Sequence, residues 1–348
     1  MLDAAPQQWP LKQGESAGRA RLYEDGIFPT ANGRARFAAL AYVPVAEPRD
    51  ARYPFSLTTG RLRDHWHGMT RTGTLGRLFG HVPGAGGATA RPGHGAARPE
   101  GRRTAHVTSR RGSIVLPVQA SDEVALSHAF IAMHWGQEYL SGRGSTGEPL
   151  AGVNAMTTSA FCPVSKQPEL KHAAVKILKA ELPWSLLAVA WLPGDAALAA
   201  REALRSLMSH FSFASCVPFS SPAPVDAPPE AARTGLLFRA AADYAPDAAL
   251  LSQIERWLGL AGDEALQYAD PKGQRRTMKL VRTGSEARLD GFLLAGDTSA
   301  EAWIKTLLQD SLPAQSYGRL LLVPGSKAPV EWPMPRNSAA GRCAPAST

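Results

Sequence analysis

Apolar residues fall in short clusters along this chain, and two kinds of spacing divide it. Over the first half the clusters are strand-like. Tyr53-Pro-Phe-Ser-Leu-Thr-Thr59 alternates and stops at Gly60, and His106–Val118 reads as a hairpin turning at Arg111-Gly112. Phe130-Ile-Ala-Met-His-Trp135 is another short strand, whereas Lys171–Lys179 fits a strand and a short helix equally. Phe37-Ala-Ala-Leu-Ala-Tyr-Val43 is a strand-like run within a proline- and alanine-rich opening that Pro44 and Pro48 close off.

From residue 194 onward the period becomes helical. Leu198, Leu204, Leu207 and Met208 recur at helical spacing behind a Gly194-Asp195 cap, and Leu250, Leu251, Ile254 and Leu258 line one side of Ala248–Gly259. A third helix over Thr298–Leu308, introduced by Asp297 with Glu301 as a capping acid, lies between the apolar runs Leu289–Gly296 and Arg319–Pro324. The fold class is therefore mainly β followed by a smaller α+β or α/β unit. Three stretches lack a pattern. Residues 84–104 hold six Gly, five Ala and four Arg and no large apolar side chain, so they are expected to be a disordered loop that adds nothing to a core. Residues 218–230 read as a Pro/Ala/Ser linker and 331–348 as a disordered tail.

Composition fits a folded protein, with 44% hydrophobic and 20% charged among 348 residues. No apolar run reaches the length of a membrane span, and the first ten residues lack the basic start and apolar core of a signal peptide, so a cytoplasmic location is expected. The three cysteines, Cys162, Cys216 and Cys343, lie too far apart in sequence for a disulfide framework or a Cys-x-x-Cys pair. Net charge is 38 − 30 = +8, and its location matters more than its size. Between Arg61 and Gly112 stand ten arginines, no lysine and two acids, which carries the whole excess. A nucleic-acid stripe mixes lysine with arginine and interleaves aromatics throughout, whereas this segment has only Trp66 and Phe79.

The densest chemistry is Thr59-Gly-Arg-Leu-Arg-Asp-His-Trp-His-Gly-Met-Thr-Arg-Thr-Gly73. A strand ends at Gly60, where backbone can approach a ligand, and Arg61, Arg63, His65, His67 and Arg71 supply donors beside the hydroxyls of Thr59, Thr70 and Thr72. Such a set suits an anionic ligand with flat rings, because guanidinium binds phosphate bidentately and stacks on aromatics. His65-x-His67 also invites a zinc reading, for which no third ligand is well placed. The bland alternative is a solvated basic loop. Elsewhere, Asn154 suits a turn, Cys216 a core position, and the junction at Leu293–Thr298 an anion-binding helix start. Gly-x-Gly-x-x-Gly and Walker motifs are absent.

Four motifs in order resemble the molybdopterin-dinucleotide-binding domain of prokaryotic assimilatory nitrate reductases: residues 59–73, Ala132-Met-His-Trp-Gly136, Gly152-Val-Asn-Ala-Met-Thr157 and Pro163-Val-Ser-Lys-Gln-Pro-Glu-Leu-Lys-His-Ala-Ala-Val175. Arg21–Phe37 is similar to the stretch just before that domain, and 234–330 to a region that follows it. The resemblance implies that 1–50 is the tail of a preceding molybdopterin oxidoreductase domain, 51–180 a double-psi β-barrel and 181–330 a small α+β linker domain. It implies binding of bis-molybdopterin guanine dinucleotide, a molybdenum cofactor, through Thr59, Gly60, Arg61, His65, Trp66, His67, Thr70 and Arg71, with Asn154, Ser165, Lys166 and Lys171. In the complete enzyme the metal would reduce nitrate to nitrite, fed by an electron-donor protein or domain. A related enzyme reducing another oxyanion or oxidising formate is the nearer alternative, and a non-catalytic basic binding module the more distant one.

Departures from the family pattern are equally specific. Members bind an N-terminal 4Fe–4S cluster through cysteines and ligate molybdenum with another residue, neither of which this sequence can supply. The chain thus resembles a C-terminal piece that needs the N-terminal portion of the enzyme as partner. Residues 84–104 replace an ordered barrel segment with text typical of a GC-rich gene read in a shifted frame, so loss of a barrel strand is expected there.

Overall fold

A computed structural model describes residues 6–39, 41–90, 103–144, 147–150, 152–169, 171–220 and 233–329. The chain divides into a unit of residues 1–44 and a unit of residues 45–348. The first is a series of turns held by local side chains. Asp25 accepts from the Ile27 amide at 3.0 Å and pairs with Arg19, and Tyr23 stacks on Phe28 at 4.7 Å. The expected strand over 37–43 does not form: its described residues are irregular, with Phe37 and Tyr42 94% and 86% exposed. Apolar composition alone does not make a strand where no second strand pairs with it.

In the second unit, β1 (Phe55–Gly60), β2 (Gly87–Ala90), β3 (Arg103–Thr108), β4 (Ser113–Ser121), β5 (His128–Ala132) and β7 (Ala173–Lys179) close a six-stranded barrel in the order β1-β5-β2-β4-β3-β7. The pairs β1/β5 and β2/β4 are parallel and the others antiparallel. Leu57, Val107, Ile114, Leu116, Ile131 and Val175 fill its core. The expected disorder of 84–104 needs correction within the described residues. Gly87–Ala90 is a barrel strand joining β5 to β4, and 103–104 begin β3, while 91–102 lie outside the described residues. No strand is lost. Small side chains are what this strand needs, because a Cβ on Gly87 would meet Ile131 Cγ1 at 3.1 Å and the Phe130 carbonyl at 3.3 Å.

A second sheet carries the α+β domain, in the order β11-β12-β13-β8-β10-β9-β6 and antiparallel throughout. Its members are β6 (Leu140–Gly142), β8 (Trp184–Pro193), β9 (Phe213–Phe219), β10 (Arg233–Ala242), β11 (Ala265–Ala269), β12 (Arg275–Thr283) and β13 (Glu286–Gly296). Strand β6 comes from within the 51–180 stretch yet pairs with β9. Alternate residues of β8 serve opposite faces. Leu187, Val189 and Trp191 join the cluster that includes the barrel core, and Leu186, Ala188, Ala190 and Leu192 pack with the helices. Helix α1 (Gly194–Leu207) buries Ala197, Ala200, Arg201, Leu204 and Leu207, and it starts after Pro193 without a side-chain cap. Helix α2 (Ala248–Trp257) is capped by Asp247, which accepts from the Ala249 amide at 3.0 Å. Helix α3 (Glu301–Gln309) buries Trp303, Ile304, Leu307 and Leu308. The apolar run at 319–324 begins within a short 3-10 turn, Gly318–Leu321.

Candidate functional site

Strand β1 ends at Gly60, whose carbonyl accepts from the Met133 amide at 2.9 Å. A Cβ there would come within 3.1 Å of the Phe130 ring, so a larger residue would push that ring. The loop that follows is pinned by one imidazole. His134 Nε2 accepts from the Leu62 amide at 2.8 Å, and Nδ1 donates to the His67 carbonyl. Serving one acceptor and one donor role requires the neutral ring with its proton on Nδ1. At and just beyond the second point the backbone is strained: His67 and Met69 take φ of +39° and +61°, costing about 1 kcal/mol or more each. The pin and the burial of Met69 hold that conformation, and the Met69 carbonyl then accepts from the Thr72 and Gly73 amides.

This backbone sorts the side chains. Arg61, Trp66, His67, Thr70 and Arg71 are exposed, whereas Thr59 and His65 are buried. The Arg61 and Arg71 guanidiniums lie 5.9 and 6.0 Å from the Trp66 ring, and His67 meets the same indole edge-on at 4.7 Å. Two cations thus flank an exposed aromatic surface. His65 packs against Phe79 at 4.6 Å, places Nδ1 3.2 Å from Thr72 Oγ1, and keeps a buried Nε2 with no partner.

The other expected site residues sit on other segments of the chain. Asn154 is exposed on a 3-10 turn, Val153–Met156, whose Val153 amide donates to the Trp135 carbonyl at 3.2 Å; its turn and the pinned loop share the segment around His134. Ser165 and Lys166 sit in an exposed turn with local contacts. Ser165 donates its amide to Cys162 Sγ at 3.4 Å, and Lys166, at φ +59°, lies over Phe161 at 5.5 Å. Lys171 is exposed just before β7. His134 is the residue that sequence reasoning underweighted; its signal was a histidine directly after an apolar strand.

Three other readings change. His65 and His67 part company, one buried and one exposed, so the zinc pair is split. The arginine stripe is partly neutralised: Arg111 binds Glu47, and Arg110 binds Asp50 while lying over Tyr53 at 4.7 Å. The anion-binding helix start at Leu293–Thr298 is filled by the protein's own carboxylate, since Asp297 accepts from the Ser299 amide at 2.9 Å and pairs with buried Arg276 at 2.9 Å. Cys216 is a core residue, as expected, and burial pushes its thiol up to about 12.

Burial holds the imidazoles of His65, His106 and His134 below the usual 6.5, and the neighbouring His134 adds to the effect on His65. A depressed imidazole means that the unfolded chain takes up protons the folded chain refuses. Stability from these sites is complete above pH 6.5 and is lost as pH falls below it. Urea midpoints measured between pH 7.5 and 5 should therefore drop, before the carboxylates titrate. A flat profile over that range would contradict the neutral His134 pin.

Residues 55–174 match the family model described as the molydopterin dinucleotide binding domain. The match starts at the first residue of β1 and ends inside β7, so it coincides with the closed barrel. The barrel is similar to a molydopterin dinucleotide binding domain over nearly its whole length. The chain is 37% identical over 176 residues to a nitrate reductase of Synechocystis, covering 49% of this chain and 24% of that protein. An assimilatory nitrate reductase of Haloferax mediterranei is 29% identical over 186 residues (51% and 23%). The alpha subunit of an F420-dependent formate dehydrogenase of Methanocaldococcus jannaschii is 30% identical over 169 residues (49% and 23%). The matched stretch thus spans about a quarter of each of these relatives. No helix among the described residues is long and apolar enough to cross a membrane.

Proposed function

We propose that this chain is the cofactor-binding C-terminal portion of a molybdenum nitrate reductase, and that its barrel holds part of a bis-molybdopterin guanine dinucleotide. The observation that carries the reading is the exposed Trp66 flanked by Arg61 and Arg71, on the loop leaving β1 within the matched stretch. The donor set fits such a group: guanidinium suits pyrophosphate, the indole suits a flat fused ring, and Gly60 keeps the strand end free of a side chain. Arg61, Trp66, His67, Thr70 and Arg71 would touch the cofactor directly. Thr59 and His65 would support the loop from below, and Asn154, Ser165, Lys166 and Lys171 would extend the contact surface. When bound, the cofactor supplies the molybdenum at which an oxygen atom is taken from nitrate. This chain's residues would bind, orient and electrostatically tune it.

The complete enzyme would add the N-terminal portion with its 4Fe–4S cluster and an electron donor, acting in nitrate assimilation in the cytoplasm. The formate dehydrogenase relative supports a second reading, a fragment of a related molybdopterin oxidoreductase. Nitrate and formate assays on the assembled enzyme separate the two. For this chain itself, calorimetric titration with GDP, the nucleotide end of the cofactor, should detect binding. Arg61→Ala should weaken it about tenfold, in line with the loss of one charge-assisted contact. Equal affinity in both proteins would remove Arg61 from the site.

A further inference from the structure

The pinned loop has a second attachment, and it comes from the α+β domain. Arg201 on α1 is only 6% exposed, and its Nη1 donates to the Gly73 carbonyl at 3.1 Å. The guanidinium lies 4.6 Å from the centre of the Tyr139 ring, and its Nε has no hydrogen-bond partner. Among the described residues it forms no ion pair with a carboxylate. A buried cation held by one carbonyl and one ring is a costly way to fill space. Gly73 is fitted to the same place: a Cβ there would stand 1.7 Å from the Tyr139 hydroxyl and 2.8 Å from the Met69 carbonyl. Tyr139 is tied to the second sheet in turn, since its carbonyl accepts from the Cys216 amide at 3.2 Å.

We infer that Arg201 is a positioning residue for the loop at 61–73, so that the α+β domain sets the shape of a site whose ligand-facing groups all belong to the barrel. His134 fixes the start and middle of the loop at Leu62 and His67; Arg201 fixes its end at Gly73. The span from Leu62 to Gly73 holds the two strained residues together with Trp66 and Arg71, and Arg61 directly precedes it. The role assigned to the cluster rests on the proposed cofactor reading, whereas the brace itself stands on contacts within the protein.

The test uses the full chain as wild type, Arg201→Met and Arg201→Lys, with hydrogen–deuterium exchange across 61–75 and GDP titration in parallel. Arg201→Met should speed exchange in 61–75 at least tenfold while leaving the β3–β4 hairpin unchanged, and weaken GDP binding several-fold. Arg201→Lys keeps a donor for the Gly73 carbonyl and should restore most of the protection and affinity. Gly73→Ala, entering from the loop side, should reproduce the Arg201→Met exchange pattern. Unchanged exchange in 61–75 overturns the brace whatever GDP does. Equal acceleration in loop and hairpin, without rescue by lysine, also overturns it, because Arg201 would then stabilise the fold as a whole. Local acceleration in a protein whose wild type binds no GDP supports the brace and removes the cofactor reading instead.

Discussion

Replacing His134 with alanine should cost about 2–4 kcal/mol of stability at pH 7.5, read from urea unfolding. The imidazole serves two backbone groups at once, the Leu62 amide and the His67 carbonyl. Stranding a buried polar group costs about 1–3 kcal/mol each, and the loop can recover part of that by opening to water. The deficit should narrow as pH falls below 6.5, since burial opposes protonation of His134 in the wild type and alanine has no proton to refuse. A loss under about 0.5 kcal/mol would mean that the loop holds its shape without the pin.

Arg276→Met should be comparably severe, at about 2–4 kcal/mol. Arg276 is 1% exposed and binds Asp297, whose side chain keeps 24% exposure. Removing the guanidinium leaves a half-buried carboxylate supported mainly by backbone amides. Although burial pushes the Asp297 carboxyl up, the Ser299 and Gly325 hydrogen bonds and Arg276 together hold it below the usual 3.8. The pair therefore contributes fully above that value and fades as pH drops through it, so wild type and variant should converge in acid. Arg276→Met combined with Asp297→Asn should cost less than the sum of the single changes. Strict additivity would show that the two side chains do not interact.

How much of this was legible in sequence depends on what each element uses to hold itself. The β1 strand, the hairpin of β3 and β4, and helices α1 and α2 were visible because each shows its own period or turn. Strand β8 was not, since Trp184–Pro193 is apolar on both faces and so has no alternation to read. Strand β2 was misread for the opposite reason: Gly87 and its alanine neighbours carry no apolar signal because Ile131, Leu116 and Phe130 occupy the space around them. At the candidate site, residue types picked out the segment that carries the exposed Arg61, Trp66 and Arg71 cluster. The supporting groups, His134 and Arg201, lie 72 and 128 positions from the backbone they hold, a distance that no local pattern spans.

Strand β8 has a consequence for how the protein comes apart. Its residues are shared in alternation between the layer that reaches the barrel and the layer under the helices, so neither layer can lose the strand without exposing the other. The segment 55–174, though it closes a barrel by hydrogen bonding, is therefore expected not to fold when expressed alone. Cut free, it would present to water the apolar surface that Leu187, Val189 and Trp191 now cover, and would carry β6 as an orphaned edge. The second unit is therefore expected to unfold in one transition, followed alike by probes in the barrel and in the second sheet.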